Sequence, residues 1–381
     1  MYYRDNPYCI EALFDVYKKS IKASQWKSST QRFKHDYLSE IYELYEEIQN
    51  GTYHSGPTSD FLVNERGKIR LVHGNTIRDR VVRHALCDNV LMPAISKKIV
   101  YDNAASQIGK GTDFCRDRLK QHLREYFRMY GNDGFILIGD IKKYYDNIQH
   151  KVVKQQLFPM IDDTSKALLS EVLDQMKVDV SVMTEAEYQK ALDVFDSVAF
   201  FNKYHNQGKT GNRFLYKSMR TGDQVAQVVG IYYLNCIDNL IQIVHGHGLY
   251  GRFNDDFYVI FNNKEDLESL LVEIRKELSE IGLHLNEKKT VICRIDRPFK
   301  FMKNQYYLTE TGRVVEKVNR KNLQRERKKL KKLKAVGVPY SEIEIQFKSW
   351  MGAYHRIMSK QQIRNMNQWF AENVKEGKSN E

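Results

Sequence analysis

Three aspartates stand in places where they could hold divalent cations. Asp255 and Asp256 are adjacent in "GRFNDDFYVIF", and Asp140 follows the apolar run "FILIG". Like charges about 4 Å apart repel by roughly 4 kcal/mol at an effective dielectric near 20, so this cluster is costly without cations. Oxygen ligands favour Mg²⁺ or Mn²⁺, and two such ions could activate a hydroxyl and stabilise a departing pyrophosphate. The chemistry indicated is transfer to or from a nucleotide.

An Asp-Asp pair is weak evidence by itself, because "MIDDTSK" contains a second pair, Asp162 and Asp163, that is typical of a polar turn or helix cap. The flanks distinguish the pair at 255. Both "LYGRF" and "FYVIF" favour strand, which predicts a hairpin with Asn254 and Asp255 near its tip. If a strand ending in Asp140 lies beside this hairpin, the carboxylates converge.

Other elements must position these carboxylates. The run 135–139 is bounded by glycine and predicts a buried strand, and "GKIRLVHG" predicts a strand carrying Lys68 and Arg70 before a helix. Helical periodicity in "FKHDYLSEIYELYEEIQNG" ends at Gly51, and that in "NNKEDLESLLVEIRKELSEIG" ends at Gly282, with an Asn as N-cap. The pattern mixes helices and strands, and the second helix is expected to pack on a sheet.

The charge points to a polyanionic partner. There are 60 Lys and Arg against 48 Asp and Glu, giving a formal charge of +12. The segment "VNRKNLQRERKKLKKLKAVGVP" predicts a basic helix, with Val318 and several leucines near one face. Such a helix is either a solvated surface or a contact for a phosphate backbone. The residues assigned to that contact are Arg320, Lys321, Arg325, Lys328 and Lys332.

Cysteine usage and hydropathy set the expected compartment. The five cysteines are scattered without a C-x-x-C pair, which is typical of reduced thiols. The start "MYYRDNPYCI" has no signal pattern, and no apolar run is long enough to cross a bilayer. We therefore expect a cytoplasmic protein with no membrane contact.

From about residue 60 to 355, five stretches in order resemble the motifs of bacterial reverse transcriptases. "FILIGDIKKYYDNIQH" resembles the first catalytic motif (A), and "RFNDDF" resembles the Y-x-D-D motif (C). "TGDQVAQ" resembles motif B, written G-x-x-x-S-Q in diversity-generating retroelements and in defence-associated relatives. "GLHLNEKKT" resembles motif D, and "FKFMKNQYYLTETGRVV" the primer grip. The lineage suggested is that of group II introns and diversity-generating retroelements, within a defence-associated, unknown-group branch.

The resemblance implies a role for each matching residue. Asp140, Asp255 and Asp256, with the backbone of Ile141, would bind two Mg²⁺ ions, Mn²⁺ being an alternative. The nucleotide contacts implied are Lys68, Arg70, Tyr145, Gly222, Gln227 and Lys289. Apart from the resemblance, Lys68 and Arg70 fit a surface strand, Gly222 and Gln227 a turn and helix start, and Lys289 a solvated side chain.

Tyr145, five positions after Asp140, separates two kinds of polymerase. Enzymes that make RNA typically carry Asp there for the ribose 2′-hydroxyl, whereas an aromatic ring excludes that hydroxyl and favours dNTPs. A plain core tyrosine is the alternative. The sequence departs from the family at Phe253, which replaces Tyr, at Ala226, which replaces Ser, and at 302–303, where Met-Lys replaces Leu-Gly. None of these changes removes a carboxylate.

The implied fold is α+β, a right-hand polymerase whose palm is an antiparallel sheet with helices on one face. Fingers are expected at 1–130, with 60–130 leading into the palm, the palm at 131–310 with an insertion at about 176–212, and a basic helical thumb at 311–381. The function implied is RNA-directed DNA synthesis, making cDNA from dNTPs on a dedicated noncoding RNA, in antiphage defence.

Two rival functions fit the same sequence. One is the reverse transcriptase of a diversity-generating element, and the other is a non-catalytic, maturase-like RNA-binding scaffold. The primer, and whether a homo-oligomer or an accessory protein is involved, are left open.

Overall fold

The N-terminal part of the chain is helical apart from one hairpin. The computed structural model describes residue 3 and residues 6–65 and 67–374. The elements are α1 (Ile10–Ile21), α2 (Ser28–His35), α3 (Tyr37–Asn50), β1 (Ser59–Glu65), β2 (Lys68–Gly74), α4 (Ile77–Ala85), a π-helical segment (Leu86–Leu91), α5 (Met92–Ile95) and α6 (Thr112–Tyr130). As predicted, α3 ends at Gly51, which has a left-handed φ of 68°. The predicted strand with Lys68 and Arg70 is β2, and it pairs with β1.

The central part contains the main sheet. Its elements are β3 (Phe135–Asp140), α7 (Tyr144–Asn147), α8 (His150–Leu157), a 3₁₀ turn (Phe158–Met160), α9 (Asp163–Met176), β4 (Val178–Asp179), α10 (Glu185–Asp193), α11 (Ser197–Tyr204), β5 (Phe214–Leu215), α12 (Gln224–Tyr232), α13 (Asn235–Asn239), a π-helical segment (Leu240–Val244), β6 (Tyr250–Phe253), β7 (Asp256–Phe261), α14 (Lys264–Glu280) and β8 (Val291–Arg294). The prediction of a helix cap at Asp162 is confirmed, since its side chain accepts from the Ser165 amide at the start of α9. Asn263 caps α14 in the same way, as predicted.

The main sheet has the strand order β6-β7-β3-β8, and every pair is antiparallel. The prediction of helices on one face only is wrong. Leu137 packs in a cluster with residues of α12 and α14, whereas its neighbours Ile136 and Ile138 pack with Leu119 and Leu123 of α6. Successive strand residues point to opposite faces, so the continuous apolar run in β3 requires cover on both sides.

The predicted insertion is a small unit with its own core. Strands β4 and β5 pair, and α10 and α11 lie between them in the chain. Its buried residues are Val180, Ala191, Phe195, Phe200, Tyr204 and Leu215. Helix α11 contacts β2, so the insertion touches the outer side of the β1–β2 hairpin.

The C-terminal part consists of a small sheet and three helices. The elements are β9 (Phe299–Phe301), β10 (Asn304–Leu308), β11 (Val314–Val318), α15 (Arg320–Ala335), α16 (Tyr340–Tyr354) and α17 (Lys360–Asn373). Val318 ends β11 rather than lying in the basic helix, because Asn319 caps α15. It still packs with Leu330, as predicted.

The proposed division into fingers, palm and thumb stays a prediction. Its 310/311 boundary falls in the turn between β10 and β11, while the separate helical core begins at Val318. Parts of the predicted fingers (1–2, 4–5 and 66) and thumb (375–381) lie outside the described residues. Over the described ranges, no helix is long and apolar enough to cross a membrane.

Candidate active site

The three aspartates lie at one end of the main sheet. Asp140 is the last residue of β3 and stands directly opposite Asp256, the first residue of β7. Phe253 pairs with Asp256 across the β6–β7 hairpin, so Asn254 and Asp255 form its two-residue turn, as the flanking strands predicted. Asn254 has a φ of 54°, which asparagine tolerates better than most residues. Partners in register point to the same face, so the side chains of Asp140 and Asp256 share one surface.

Each of these carboxylates, when charged, disfavours ionisation of the other two. Asp140 is 6% exposed. Burial, together with the charge of Asp140, raises the pKa of Asp255. Burial, the charges of Asp255 and Asp140, and a hydrogen bond to Asp140 raise the pKa of Asp256 to about 7. A cation placed among them would relieve this repulsion, and the oxygen-only donor set fits Mg²⁺ or Mn²⁺.

Asp140 already has polar partners. The ammonium group of Lys289 lies 2.7 Å from Oδ1 of Asp140, and the Asn286 amide donates to Oδ2 at 2.9 Å. Burial opposes the charge of Lys289, but the hydrogen bond to Asp140 and the nearby aspartates outweigh it and raise its pKa. Among the described residues, no three His, Cys, Asp or Glu side chains stand as a ready ligand set. A cation bound by Asp140 would compete with Lys289 for this carboxylate.

The backbone after β3 is fixed by the segment that carries Lys289. Ile141 forms a bridge with Leu285, and the backbone amide of Asn286 donates to the Asp140 carbonyl at 2.7 Å. Ile141 itself is buried. Lys289 was predicted to lie at the site, but Asn286, three residues earlier, was not, because nothing in "NEKKT" distinguishes this asparagine.

A buried arginine supports the turn that carries Asp255. Arg252 is 0% exposed, and its Nε donates to Oδ1 of Asp238 at 2.7 Å. The same guanidinium donates to the carbonyl of Asn254 at 3.0 Å and to that of Ile231 at 2.8 Å. This pair was not predicted, although a lone Arg at an inward position of a strand is a signal for a buried partner.

The ring of Tyr145 lies next to these carboxylates. Its pKa rises to about 12, first through burial and then through the charge of Asp255. An added Cβ at Gly230 of α12 would lie 2.7 Å from the Tyr145 hydroxyl oxygen, so the ring occupies space that only glycine leaves free. The Tyr145 carbonyl accepts from the Met219 amide at 2.7 Å, and Tyr144 donates to the carbonyl of Gly230. The backbone that carries Tyr145 is therefore fixed by hydrogen bonds on either side of the ring's attachment, one at Tyr145 itself and one from the neighbouring Tyr144.

The β1–β2 hairpin faces the same site. Lys68 and Arg70 alternate with Ile69 along β2, so they share one face, and their charges act on Asp255 and Tyr145 respectively. Arg70 also lies 3.3 Å from the carboxylate of Glu65.

The turn before α12 completes this region. Gly222 has a φ of 102°, and a Cβ there would lie 3.3 Å from the His73 carbonyl of β2. Asp223 caps α12, which carries Gln227 on an exposed position of its first turn. Within the part of the chain that the structure describes, Gln227 makes no side-chain hydrogen bond with the aspartates, so its predicted nucleotide contact has the least structural support of the six.

The basic helix α15 presents a cationic stripe. The five residues predicted to contact phosphates are all exposed, namely Arg320, Lys321, Arg325, Lys328 and Lys332. Four of them recur at spacings of four, three and four residues, which places them on one helix face. No carboxylate of the described residues forms an ion pair with these five.

Comparison with known proteins adds one match. The family model described as reverse transcriptase (RNA-dependent DNA polymerase) matches residues 63–306, which include Lys68, Arg70 and all three aspartates. No curated protein matches the chain significantly.

Proposed function

The chain belongs to the reverse transcriptase family and is an RNA-directed DNA polymerase, and on that premise we propose that it makes cDNA from a dedicated noncoding RNA in antiphage defence. The observation that carries the proposed chemistry is the meeting of Asp140, Asp255 and Asp256 at one end of two paired strands. A cluster of three carboxylates, of which only Asp140 has a cationic partner, is what nucleotidyl transfer with divalent cations needs.

In this proposal the three aspartates and the Ile141 carbonyl would hold two Mg²⁺ ions, which would neutralise charge on the reacting phosphates. Lys289, which is paired with Asp140, would be placed to contact the triphosphate of a nucleotide bound at this site. Lys68 and Arg70 approach the triphosphate from the fingers hairpin, because they share the face of β2 that acts on Asp255 and Tyr145. The sheet fixes the carboxylates, whereas the cations on the hairpin bind the substrate.

Tyr145 selects the sugar in this proposal. Its ring is packed against Gly230 and cannot retreat into α12 without a clash. A ribose 2′-hydroxyl beside the ring would overlap with it, so dNTPs are preferred. Gly222 keeps the turn before α12 close to β2, which gives the template and nucleotide a narrow pocket.

The exposed stripe on α15 binds the phosphate backbone of the template–product duplex. Its five cations lie on one helix outside the main sheet, and the chain as a whole carries +12. These contacts carry no sequence information, so recognition of a dedicated RNA depends on other surfaces.

The deciding experiment is purification from the native host followed by sequencing of bound RNA and DNA, combined with primer extension on an RNA template. The proposal expects one enriched noncoding RNA, complementary cDNA, and loss of both cDNA and phage protection in Asp255→Ala. A neighbouring template repeat and variable gene would assign the chain to a diversity-generating element instead. Retained biological activity in Asp255→Ala would assign it to a maturase-like scaffold.

A further inference from the structure

The insertion is fastened to the rest of the chain beside Tyr145. The segment that makes this contact is the insertion junction (residues 192–197), which runs from the end of α10 to the start of α11. Asn147, the last residue of α7, donates from Nδ2 to the Phe195 carbonyl at 3.1 Å and accepts on Oδ1 from the Phe195 backbone amide at 2.8 Å. One side chain therefore pairs with both backbone groups of a junction residue. A carboxylate in its place would lack the donor.

A buried lysine completes this contact. Lys217 follows β5, and both it and Asn147 are only 2% exposed. The ammonium group of Lys217 donates to Oδ1 of Asn147 at 3.0 Å. It also donates to the carbonyls of Leu192 and Asp193, at 2.9 and 3.3 Å. These two carbonyls belong to the last turn of α10, where a helix leaves its carbonyls without internal partners and attracts a cation.

Burial of this ammonium group is unfavourable in itself. It lowers the pKa of Lys217 to about 8, although the charges of Asp193 and Asp146 act in the opposite direction. The hydrogen-bond acceptors of Lys217 are two carbonyls and an amide oxygen, all of them neutral. An apolar side chain of similar length would fill the same space without this cost. The lysine therefore serves the position of the insertion junction more than the stability of the fold.

The junction also contacts the residues that flank the two tyrosines of α7. Lys143 lies 2.7 Å from the carboxylate of Asp196. The side chain of Asp146 accepts from the Ser197 backbone amide at 3.1 Å. The insertion therefore contacts the chain both before and after Tyr145.

The segment that carries Lys217 pairs with the same stretch of backbone. Lys217 forms an antiparallel bridge with Gln149, and the Met219 amide donates to the Tyr145 carbonyl at 2.7 Å. The backbone that follows the ring is thus enclosed between this segment and the insertion junction. The side chain of Lys217 joins the two, since it starts on the segment and ends at the junction.

We propose that Asn147 and Lys217 are positioning residues through which the insertion fixes the backbone of Tyr145, so that the insertion sets how strictly the enzyme excludes ribonucleotides. This inference rests on the proposed role of Tyr145 in sugar selection. An added Cβ at Gly230 would lie 2.7 Å from the Tyr145 hydroxyl oxygen, so the ring has no spare room toward α12. A displaced backbone therefore moves the ring relative to the nucleotide. The hydrogen bonds of Asn147 and Lys217 go to the junction, so the effect is on the sugar and not on phosphoryl transfer.

Sugar selectivity is measured in primer extension with the full chain, as the ratio of kcat/KM for a ribonucleotide to that for the matching deoxyribonucleotide. Asn147→Ala and Lys217→Met should each raise this ratio by about three- to tenfold, while kcat for the dNTP stays within about twofold. Lys217→Met fills the space of the lysine with a neutral side chain, so it tests the inference even where Asn147→Ala does not fold. The matched controls are Asn206→Ala, an exposed asparagine of the insertion, and Lys151→Met, an exposed lysine of α8. Both should keep the wild-type ratio.

A double-mutant cycle with Tyr145→Val separates positioning of the ring from a general loosening of the site. Tyr145→Val already removes the ring, so adding Lys217→Met should raise the ratio no further. Additive effects would show that Lys217 acts by another route and would overturn the inference. So would a ratio that rises in Tyr145→Val but stays at the wild-type value in folded Lys217→Met. An unchanged ratio in Tyr145→Val would instead contradict sugar selection by this ring, the proposed role on which the inference rests.

Discussion

The ammonium group of Lys289 lies 2.7 Å from Oδ1 of Asp140, one of the carboxylates proposed to bind a cation. A cation bound by Asp140 would compete with Lys289 for the same carboxylate, so we predict that Lys289→Met lowers the Mg²⁺ concentration giving half-maximal primer extension. The Lys289 side chain is 60% exposed, and such pairs are worth no more than about 1 kcal/mol, so a two- to fivefold decrease is expected. Lys288→Met, an exposed neighbour, is the control. An unchanged or increased requirement for Mg²⁺ would show that Lys289 does not compete with the ion.

The aspartate cluster should cost stability when no metal is bound. Burial and the neighbouring aspartates disfavour the charge of Asp256, so we predict that Asp256→Asn raises the melting temperature of the metal-free protein at pH 8 by at least about 2 °C. The same variant should abolish primer extension. Asp163→Asn, in the other Asp-Asp pair, should leave both properties unchanged because that side chain is exposed. A lower melting temperature for metal-free Asp256→Asn than for the metal-free wild type would argue against repulsion between the three aspartates.

Local patterns in the sequence predicted the strands and turn that bring the aspartates together. Asp140 at the end of a glycine-bounded apolar run and Asp255 between two strand-forming runs needed only periodicity and turn chemistry. The contact of Lys289 with Asp140 could not be read in this way, because it joins residues 149 positions apart in the chain. The pair of Arg252 with Asp238 was missed for a related reason, since burial of both side chains depends on how α13 packs against β6.

The second face of the sheet was missed although a signal was present. Both alternating sets of "FILIG" are apolar, which is typical of a strand covered on two sides, and helix α6 supplies the second cover. The resemblance to polymerases suggested helices on one face, and that expectation outweighed the pattern. Nothing in the sequence indicates that the insertion contacts β2. The apolar residues of the insertion indicate only that it has a core of its own.

Sugar selection should depend on the ring of Tyr145. We predict that Tyr145→Val admits ribonucleotides in primer extension, raising the ratio of kcat/KM for rNTPs to that for dNTPs by at least about tenfold. Tyr145→Phe is the matched control, because it keeps the ring and loses only the hydroxyl. An unchanged ratio in Tyr145→Val would show that the ring does not exclude the ribose 2′-hydroxyl.

The ring should also respond to its neighbour on α12. An added Cβ at Gly230 would lie 2.7 Å from the Tyr145 hydroxyl oxygen, so Gly230→Ala pushes the ring toward the nucleotide. We expect KM for dNTPs to rise several-fold while the preference for dNTPs over rNTPs is kept. Combining Gly230→Ala with Tyr145→Phe should restore only part of the loss, since it removes the 2.7 Å contact with the hydroxyl but leaves the ring carbons Cε1 and Cζ at 2.9 and 3.0 Å. No recovery would indicate that the methyl group disturbs α12 itself.

Low pH should destabilise the contact between His150 and the segment that leads to Gly222. His150 is buried and donates from Nε2 to the Ser218 carbonyl at 2.9 Å, and burial lowers its pKa to about 4. The unfolded chain binds a proton near pH 6.5 and the folded one does not. Neutral His150 therefore makes its full contribution to the free energy of unfolding above pH 6.5. This contribution decreases as the pH falls toward 4, by up to about 3 kcal/mol.

We predict that His150→Gln has a smaller loss of unfolding free energy between pH 6.5 and 5 than the wild-type protein. Urea denaturation at several pH values measures this difference. His35→Gln, an exposed histidine of α2, should behave like the wild type. Parallel pH profiles for wild type and His150→Gln would show that His150 does not carry the acid sensitivity.

Arg252 should act on catalysis through the turn rather than by contact with substrate. Its guanidinium binds Asp238 and donates to the Asn254 carbonyl, whose residue immediately precedes Asp255. Breaking a buried pair at one partner costs about 3–5 kcal/mol, whereas replacing both partners by apolar residues is often tolerated. The informative variant is therefore Arg252→Met with Asp238→Leu, which folds without an unpaired charge but leaves the Asn254 carbonyl without its donor.

We predict that this double variant melts cooperatively and that its kcat falls at least about tenfold, while KM for dNTPs stays within about twofold. Lowered kcat with unchanged KM is expected because the turn positions Asp255 without touching the incoming nucleotide. Arg294→Met with Asp296→Leu, a partly exposed pair at the end of β8, is the matched control and should keep wild-type kinetics. A folded Arg252 double variant with wild-type kcat would mean that the turn keeps Asp255 in place without this support, and that Arg252 serves the fold alone.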